Sequence, residues 1–262
     1  FGVVVPKTTQ DLVSAVEIAA EHNIPILPRG GGTSQCGQTV NEAIVIDCSQ
    51  YLNKIVNFDY ENMRISVEPG IVLDHLNSYL KPHNLFFPVD ISTASRATIG
   101  GMTANNSCGG RSIRYGIMVD NVHSIDALLI NGEHARFSDT PSDIRHIDGT
   151  KHYRQLVSSV REIAEREMSE LESAFPKLKR RVGGYNLDTI DPQGHNMAKL
   201  LVGSEGTLAT FKNIELYLQQ IPQHKVMGVC HFPTFYAAMD AAQHLVKLSL
   251  IHISEPTRRS TI

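Results

Sequence analysis

The sequence has no membrane-spanning run, no paired-cysteine motif and little net charge. No apolar stretch approaches the roughly 20 residues that cross a bilayer, so we expect no transmembrane segment. The formal net charge is −3 and the basic residues are dispersed, which argues against nucleic acid as a partner. Four cysteines lie far apart, without a CxxC pair, and predict neither a metal or iron–sulfur site nor a disulfide framework: Cys36, Cys48, Cys108 and Cys230.

The composition indicates a globular chain. Of the 262 residues, 42% are hydrophobic and 19% are charged, which suits one large domain or two small ones with hydrophobic cores. We interpret the cysteines as buried thiols in a reducing compartment. We therefore expect a cytoplasmic protein and leave peripheral contact with the inner face of a membrane open. The chain opens on Phe1 rather than Met, so a targeting segment upstream cannot be evaluated.

The C-terminal residues differ in character from the rest. Leu248 to Arg258 reads LSLIHISEPTR, which resembles the in-frame translation of a transposase adapter used for sequencing libraries. We therefore expect the natural sequence to stop near Lys247 and interpret residues 248–262 as a non-native tail.

The hydrophobic pattern alternates between strands and helices and predicts an α+β fold. Short apolar runs predict strands at 3–5, 24–27, 43–47, 65–67, 214–218 and 226–230. Helices are predicted over 6–23, with a capped start at Thr8 to Asp11, over 72–80 and over 236–245. One long amphipathic helix ending near Pro176 is predicted from an apolar stripe: Tyr153, Leu156, Val157, Val160, Ile163, Ala164, Met168 and Leu171. Asn131-Gly132 predicts a hairpin with a two-residue turn.

The first motif is PRGGGTSQCGQ, from Pro28 to Gln38. Three glycines after a strand can turn several backbone N–H groups toward one point, a nest that suits a phosphate or pyrophosphate. No Lys-Ser/Thr follows, as a P-loop requires, and no GxGxxG opens a helix. A Rossmann crossover does not fit either, because residues 33–42 lack helical periodicity. By itself, a glycine triplet is also compatible with a flexible turn.

Two further stretches complete the pattern. Pro88 to Gly110, followed by Arg111 to Gly116, is rich in small polar residues, so its backbone can lie against a flat ligand. A long surface loop is the alternative, although loops of this length are usually functional or disordered. Leu201 to Thr210 places Gly203-Ser204-Glu205-Gly206 between apolar runs, which alone indicates a tight turn.

These three stretches in this order, with VEPG (Val67 to Gly70) between the first two, resemble the vanillyl-alcohol oxidase and p-cresol methylhydroxylase flavoprotein superfamily. The resemblance runs from Val3 to about Cys230 and points to the group of D-lactate dehydrogenase, the glycolate oxidase flavin subunit and D-2-hydroxyglutarate dehydrogenase. It implies two α+β subdomains with FAD between them: a small N-terminal strand–helix–strand unit and a larger mixed or antiparallel sheet with helices. It divides the chain into an FAD-binding domain (1–224), the start of a truncated substrate or cap domain (225–247) and the tail.

The resemblance also implies the cofactor-binding residues. The pyrophosphate loop and its continuation are Pro28, Arg29, Gly30, Gly31, Gly32, Thr33, Ser34, Gly37 and Gln38. The segment along the cofactor comprises Pro88, Ser95, Thr98, Gly100, Gly101, Asn105, Ser107, Cys108, Gly109, Tyr115 and Gly116, and a later turn adds Glu205, Gly206 and Thr207. Members that bind FAD covalently often carry His where this chain has Thr33, so non-covalent FAD is expected.

The function implied is oxidation of a 2-hydroxy acid by hydride transfer to FAD, with a quinone, a cytochrome or a fused iron–sulfur domain as the possible electron acceptors. Two alternatives stay open: an oxidase or reductase of another substrate, and a nucleotide-binding module without redox chemistry. In relatives the substrate arginine, the metal-binding histidines and the base come from the cap domain, so we expect no metal site here and no activity of this chain alone. The catalytic candidates are Arg111, Asn186 and His195. The alternative for Arg111 and Asn186, which lie beside glycine-rich turns, is that they brace the loops, and the alternative for His195 is an ordinary solvent-exposed loop residue.

Overall fold

The computed structural model describes residues 2–178, 180–224 and 229–245. The expected tail at 248–262 lies outside the described residues. Of the strand predicted at 226–230, only residues 229 and 230 are described, and they are not in a strand. No helix in these ranges is both long and apolar enough to cross a membrane.

The N-terminal unit is a three-stranded parallel sheet with one helix. Its strands follow the order β1-β3-β2, and its elements are β1 (Val3–Val4), α1 (Thr9–Glu21), β2 (Ile26–Arg29) and β3 (Ile44–Asp47). The Thr8 side chain accepts from the Asp11 N–H at 3.1 Å, and the Asp11 carboxylate accepts from the Thr8 N–H at 2.9 Å. This capping box confirms the predicted helix start. Residues 30–43, which join β2 to β3, contain no helix, as expected when a Rossmann crossover is excluded.

The second unit is a five-stranded antiparallel sheet in the order β4-β5-β11-β7-β8. Its strands are β4 (Ile55–Asp59), β5 (Arg64–Val67), β7 (Val122–Leu128), β8 (His134–Phe137) and β11 (Thr210–Tyr217). Alternate residues such as Ile65, Ile125 and Ile214 are fully buried and form the larger core. Leu128, at the end of β7, packs instead with Leu12 and Ile46 of the N-terminal unit and so joins the two units.

Helices and short ribbons surround this sheet. The helices are α2 (Leu73–Leu80), α3 (Ile99–Asn105), α4 (Ser112–Tyr115), α5 (Met118–Asn121), α6 (Lys151–Arg166), α7 (Met168–Ala174), α8 (Ala198–Leu201) and α9 (Phe235–Leu245). Two antiparallel ribbons pair β6 (Leu85–Phe86) with β12 (Gln219–Gln220) and β9 (Asp139–Pro141) with β10 (Gly194–Asn196). Single 3₁₀ turns span Lys81–His83, Ile144–His146 and Leu187–Thr189. The architecture confirms the predicted α+β class.

Several local expectations are wrong. The long helix breaks at Glu167, whose φ of −97° and ψ of 12° leave the helical region, and Leu171 of α7 packs against the core while Ile163 and Met168 are exposed. In the β7–β8 hairpin, Gly132 N–H bonds to Leu129 O and only Gly132 has positive φ, so the turn is a type I turn with a bulge rather than a two-residue turn.

The cysteines also differ from the expectation of four buried thiols. Cys48 is buried and Cys108 is partly buried, whereas Cys36 and Cys230 are exposed. All four are free thiols. Exposure of Cys36 follows from its position in the helix-free loop between β2 and β3.

Candidate functional site

A cleft of about 370 Å³ lies between the parallel unit and the antiparallel unit. The glycine loop after β2 forms one wall, and α3 with the residues before it forms the second. The turn before β11 forms the third. The three sequence motifs therefore meet at one place, although more than 170 residues separate Gly30 from Glu205.

The glycine loop presents unbonded backbone donors. The N–H groups of residues 30–34 donate no hydrogen bond to any described part of the chain. Gly32 has φ +63°, a conformation that turns successive N–H groups toward one side. Such a series of free N–H groups suits the oxygens of a phosphate or pyrophosphate.

Close packing of the loop against α3 explains two of its glycines. A Cβ at Gly30 would collide with the Thr98 hydroxyl, and one at Gly31 would collide with the Arg96 carbonyl oxygen. Thr98 itself caps α3, since its hydroxyl accepts from the Gly101 N–H at 3.3 Å. The loop therefore lies directly on the first turn of α3, where any side chain would force the walls of the cleft apart.

The third wall is bonded to the opposite end of α3. Glu205 N–H donates to the Ala104 carbonyl at 3.0 Å, and Gly203 N–H donates to the Thr103 carbonyl at 3.0 Å. Glu205 is one of the non-glycine residues with positive φ, at +53°. These contacts fix the turn at residues 203–206 relative to the helix.

The chemistry of the lining suits a dinucleotide. Arg29 and Glu205 are the only formally charged side chains among the described residues that line the cleft. The rest of the lining consists of small polar groups and of apolar side chains such as Phe211. Gln38 Oε1 is buried and has no hydrogen-bond partner in the described part of the chain. Burial raises the pKa of the Cys48 thiol to about 12, so this lining group stays neutral. Free N–H groups for phosphate, apolar walls for flat rings and an unpaired acceptor together fit FAD.

The structure brings most of the predicted cofactor residues into this cleft. Those that line it are Pro28, Arg29, Gly30, Gly31, Gly32, Thr33, Ser34, Gln38, Thr98, Gly100, Gly101, Asn105, Ser107, Cys108, Glu205 and Gly206. The others lie outside its lining: Gly37, Pro88, Ser95, Gly109, Tyr115, Gly116 and Thr207.

Some of these outer residues have packing roles. A Cβ at Gly109 would collide with the Asp90 carbonyl oxygen, and Gly116 has φ +78° beside the Asp120 carboxylate. The Tyr115 ring packs edge-on against Phe86, with centroids 5.6 Å apart. These glycines are therefore explained by close approach of the backbone and by turn geometry.

The three weak catalytic candidates lie outside the lining of the cleft. The Arg111 guanidinium stacks over the Phe86 ring, 5.7 Å from its centroid. Asn186 is buried, and its amide donates to the carbonyls of Lys199 at 3.1 Å and Val202 at 2.8 Å. Both residues have structural partners in this arrangement.

His195 lies in the β9–β10 ribbon. Its Nδ1 is 2.9 Å from the Asp191 carbonyl oxygen, so Nδ1 carries the proton and donates. Its Nε2 lies 3.0 Å from the Met197 sulfur, and burial lowers the pKa of the imidazole. The imidazole is thus a neutral, packed group. Within the described residues, no cluster of three or more His, Cys, Asp or Glu side chains is placed to hold a metal ion.

Sequence reasoning missed a second set of lining residues. Most of them lie within or next to the sequence motifs but were not named as cofactor residues, and three are strand residues (Leu27, Thr210 and Phe211). The set is Leu27, Thr39, Cys48, Pro69, Ile91, Ser92, Thr93, Ala97, Met102, Ala104, Val182, Ala209, Thr210 and Phe211. Strand residues such as Leu27 and Phe211 show only the hydrophobic pattern of core residues in the sequence, so nothing there indicates a role in a cleft. For Val182, the adjacent Gly183-Gly184 pair was the available sign of a special loop.

A protein-family model described as FAD binding domain matches residues 2–138. The chain belongs to this family. Over 96% of its length, this chain is 31% identical to D-2-hydroxyglutarate dehydrogenase of Haemophilus influenzae, and over 92% it is 32% identical to the mitochondrial D-lactate dehydrogenase [cytochrome] of Arabidopsis thaliana. A third relative is glycolate oxidase subunit GlcD of Bacillus subtilis, 27% identical over 95% of this chain. The sequence resemblance to this group is confirmed.

The chain spans only part of each relative. It covers 26% of the H. influenzae protein, 34% of the A. thaliana protein and 43% of the B. subtilis protein. Among solved structures, alkyldihydroxyacetonephosphate synthase matches 95% of this chain with a TM-score of 0.64 and 21% sequence identity. This likeness supports the fold of the FAD-binding domain.

Proposed function

We propose that this chain holds the non-covalently bound FAD of a dehydrogenase that oxidises a 2-hydroxy acid of the D-2-hydroxyglutarate, D-lactate or glycolate type. The observation that carries the proposal is the run of free backbone N–H groups at residues 30–34, in a cleft of a chain that belongs to an FAD-binding family. We also propose that residues 1–224 form one FAD-binding domain.

In this assignment each wall has a task. The N–H groups of residues 30–34 hold the pyrophosphate, and the apolar lining excludes water from the rings. The Glu205 turn fixes the far side of the cleft through its bonds to α3. When bound, FAD supplies the acceptor for the hydride equivalent, and the protein's contribution is binding and orientation.

Non-covalent binding of FAD is supported by Thr33, because threonine lacks the imidazole that a histidine at this position would use to form the covalent link. None of the described residues that line the cleft is a histidine. The free cysteines support a reducing, cytoplasmic location.

The substrate class rests on the named relatives, of which this chain spans less than half. The substrate clamp, the base and the electron acceptor, whether quinone, cytochrome or iron–sulfur domain, therefore belong to the proposal for the whole protein. A screen of D-2-hydroxyglutarate, D-lactate and glycolate on the full-length protein tests this part. If none of these acids reduced the bound flavin while another substrate was turned over, the proposed substrate class would be contradicted.

Reconstitution of the 262-residue chain with FAD tests the cofactor itself. We expect a yellow complex whose visible absorbance is bleached by dithionite and returns in air, as a redox module requires. Acid precipitation should then release the colour into the supernatant. Flavin that stays with the denatured pellet would contradict non-covalent binding, and a chain that binds ADP but no flavin would favour a nucleotide-binding module.

A further inference from the structure

One open end of the cleft lies at the turn formed by residues 91–97. Ser92 lines the cleft and is exposed, so the cleft reaches solvent there. Within the turn, the Thr93 carbonyl accepts from the N–H groups of Arg96 and Ala97, both at 2.8 Å. Two N–H groups of α2 bond to carbonyls of the same turn, each at 3.1 Å. These bonds fix the backbone at the opening.

Arg96 lies on the rim of this opening. Its carbonyl oxygen packs against Gly31 of the glycine loop, and residues that line the cleft lie within three positions of it on both sides in the sequence. Its side chain is exposed and is not itself part of the lining. The guanidinium is therefore within reach of a molecule that enters the cleft from solvent.

The charge of Arg96 is not neutralised within the described part of the chain. Its guanidinium forms no hydrogen bond, ion pair or ring contact with any described residue. Two carboxylates, those of Asp74 and Asp90, lie on adjoining segments, and neither pairs with it. Asp90 Oδ1 instead accepts from the Arg111 N–H at 2.9 Å. The positive charge is left for a partner from outside the chain.

Other arginines near the cleft differ from Arg96 in this respect. The Arg29 guanidinium folds over Gly32, and the Arg111 guanidinium stacks on the Phe86 ring. Contacts within the protein orient both of these side chains. Arg96 alone of the three combines a fixed backbone with a guanidinium that the described chain does not engage.

The flavin ring is expected at the same end of the cleft. The glycine loop begins at Pro28, beside Gly206, and passes Arg96 at Gly31 before it reaches Thr33. Thr33 occupies the position at which covalent members of the superfamily attach the ring. The ring therefore belongs on the Arg96 side of the cleft, away from the turn at Gly206. A substrate that approaches the ring from solvent passes the rim.

We infer that Arg96 is a specificity-determining residue that pairs with a carboxylate of the 2-hydroxy acid at the open edge of the flavin. This inference rests on the proposed function and adds a substrate contact that the FAD-binding domain itself supplies. A guanidinium binds a carboxylate through two parallel N–H donors, an arrangement that a neutral analogue of the acid does not match.

Reductants of opposite charge test the position of this cation in the FAD-loaded chain. Dithionite acts through the SO2 radical anion, whereas singly reduced methyl viologen is a radical cation. A unit charge roughly 8 Å away changes the local concentration of such an ion about twofold at low salt, so Arg96→Gln should slow bleaching by dithionite and speed reduction by viologen by about that factor. Salt at about 1 M should remove both effects. Arg96→Lys keeps the charge and should match the parent chain.

Lys151→Gln is the matched control, because Lys151 begins α6, is exposed and lies outside the lining of the cleft. Both of its rates should equal those of the parent chain. If Arg96→Gln leaves both rates unchanged, or moves them in the same direction as a change of structure would, the inference is overturned while FAD binding stands. A chain that binds no FAD overturns the proposed function and this inference together.

Steady-state kinetics of the full-length protein test the contact with the substrate. Loss of a charge-assisted hydrogen bond should raise the KM of the oxidised acid about tenfold in Arg96→Gln and change kcat by less than about twofold. The preference for the acid over its uncharged amide should fall by a similar factor, and Arg96→Lys should recover part of both. An unchanged KM with an unchanged preference overturns the inference. A protein that oxidises no 2-hydroxy acid overturns the proposed function instead.

Discussion

The side-chain amide of Asn105 donates a 2.7 Å hydrogen bond to Glu205 Oε1, which joins the end of α3 to a turn 100 residues later. Both residues line the cleft, and Glu205 keeps a left-handed φ of +53° in this contact. A non-glycine residue in that conformation is strained, so the bond to Asn105 partly compensates for the strain.

Replacement of Glu205 separates these two effects. Glu205→Ala loses the hydrogen bond and keeps the left-handed strain, so we expect a loss of about 1 to 2 kcal/mol in the free energy of unfolding. Glu205→Gly loses the same bond but adopts positive φ freely, and should be more stable than the alanine variant by about 1 kcal/mol. Urea titrations measure both values. An alanine variant as stable as the glycine variant would show that the turn relaxes.

Gly31→Ala tests the contact between the glycine loop and α3. The sequence suggests that Gly31 allows close approach of a pyrophosphate, and the structure adds a collision of any Cβ with the Arg96 carbonyl oxygen. We expect FAD binding to be lost and stability to fall by about 1 to 3 kcal/mol, as for other overpacked sites. Gly183→Ala, where a Cβ meets nothing within 4 Å, is the control and should behave like the parent chain. Normal FAD affinity in Gly31→Ala would contradict the contact.

The buried His195 predicts a pH dependence of stability. Burial lowers its pKa in the folded chain below the value of 6.5, so the unfolded chain binds a proton more readily. The contribution of neutral His195 to the free energy of unfolding is fully present above pH 6.5, and it is lost as the pH falls below that value toward the folded-state pKa. In His195→Asn, whose amide can replace the bond to Asp191, unfolding free energy should fall less between neutral and acidic pH. If the unfolding free energy of His195→Asn changed with pH as steeply as that of the parent chain, His195 would be excluded as the source of the pH dependence.

Absence of turnover by the reconstituted chain is a further expectation. Arg111 stacks on Phe86, Asn186 is bonded within its loop and His195 is packed against Met197, so none of the weak catalytic candidates is placed to clamp a substrate. Hydride transfer requires alignment that can contribute roughly 7 to 11 kcal/mol to lowering the barrier. Anaerobic mixing with D-lactate, glycolate or D-2-hydroxyglutarate should leave the oxidised-flavin absorbance unchanged. Rapid bleaching by one of these acids would place the catalytic groups inside this chain.

Local sequence patterns predicted the elements whose causes are local. The capping box at Thr8 and Asp11 requires only neighbouring residues, and the start of α1 was predicted correctly. Strand β4 was missed because Val56 and Asn57 are both exposed, so the strand lacks an apolar alternation. The break at Glu167 also has no local marker such as proline or glycine, and depends on how Leu171 packs against the core.

The site was predictable to the extent that its motifs are glycine-rich. The resemblance located the loop at residues 30–34, the small polar segment whose residues 99–105 form α3, and the Glu205 turn, and these line one cleft. That this segment contains a helix was not predicted. Strand residues such as Phe211 and the 181–186 loop depend on partners far along the chain. A sequence pattern does not show that Asn186 is bonded to α8 or that Tyr185 is bonded to Thr207.

Comparison of FAD with riboflavin tests the central claim most directly. Riboflavin has the same ring system and lacks the pyrophosphate and adenosine, so only FAD can use the free N–H groups of residues 30–34. Titration of the purified chain, followed by flavin absorbance and calorimetry, should show tight, saturable binding of FAD and far weaker binding of riboflavin. Equal affinity for the two, or no binding of FAD, would contradict the assignment of this cleft.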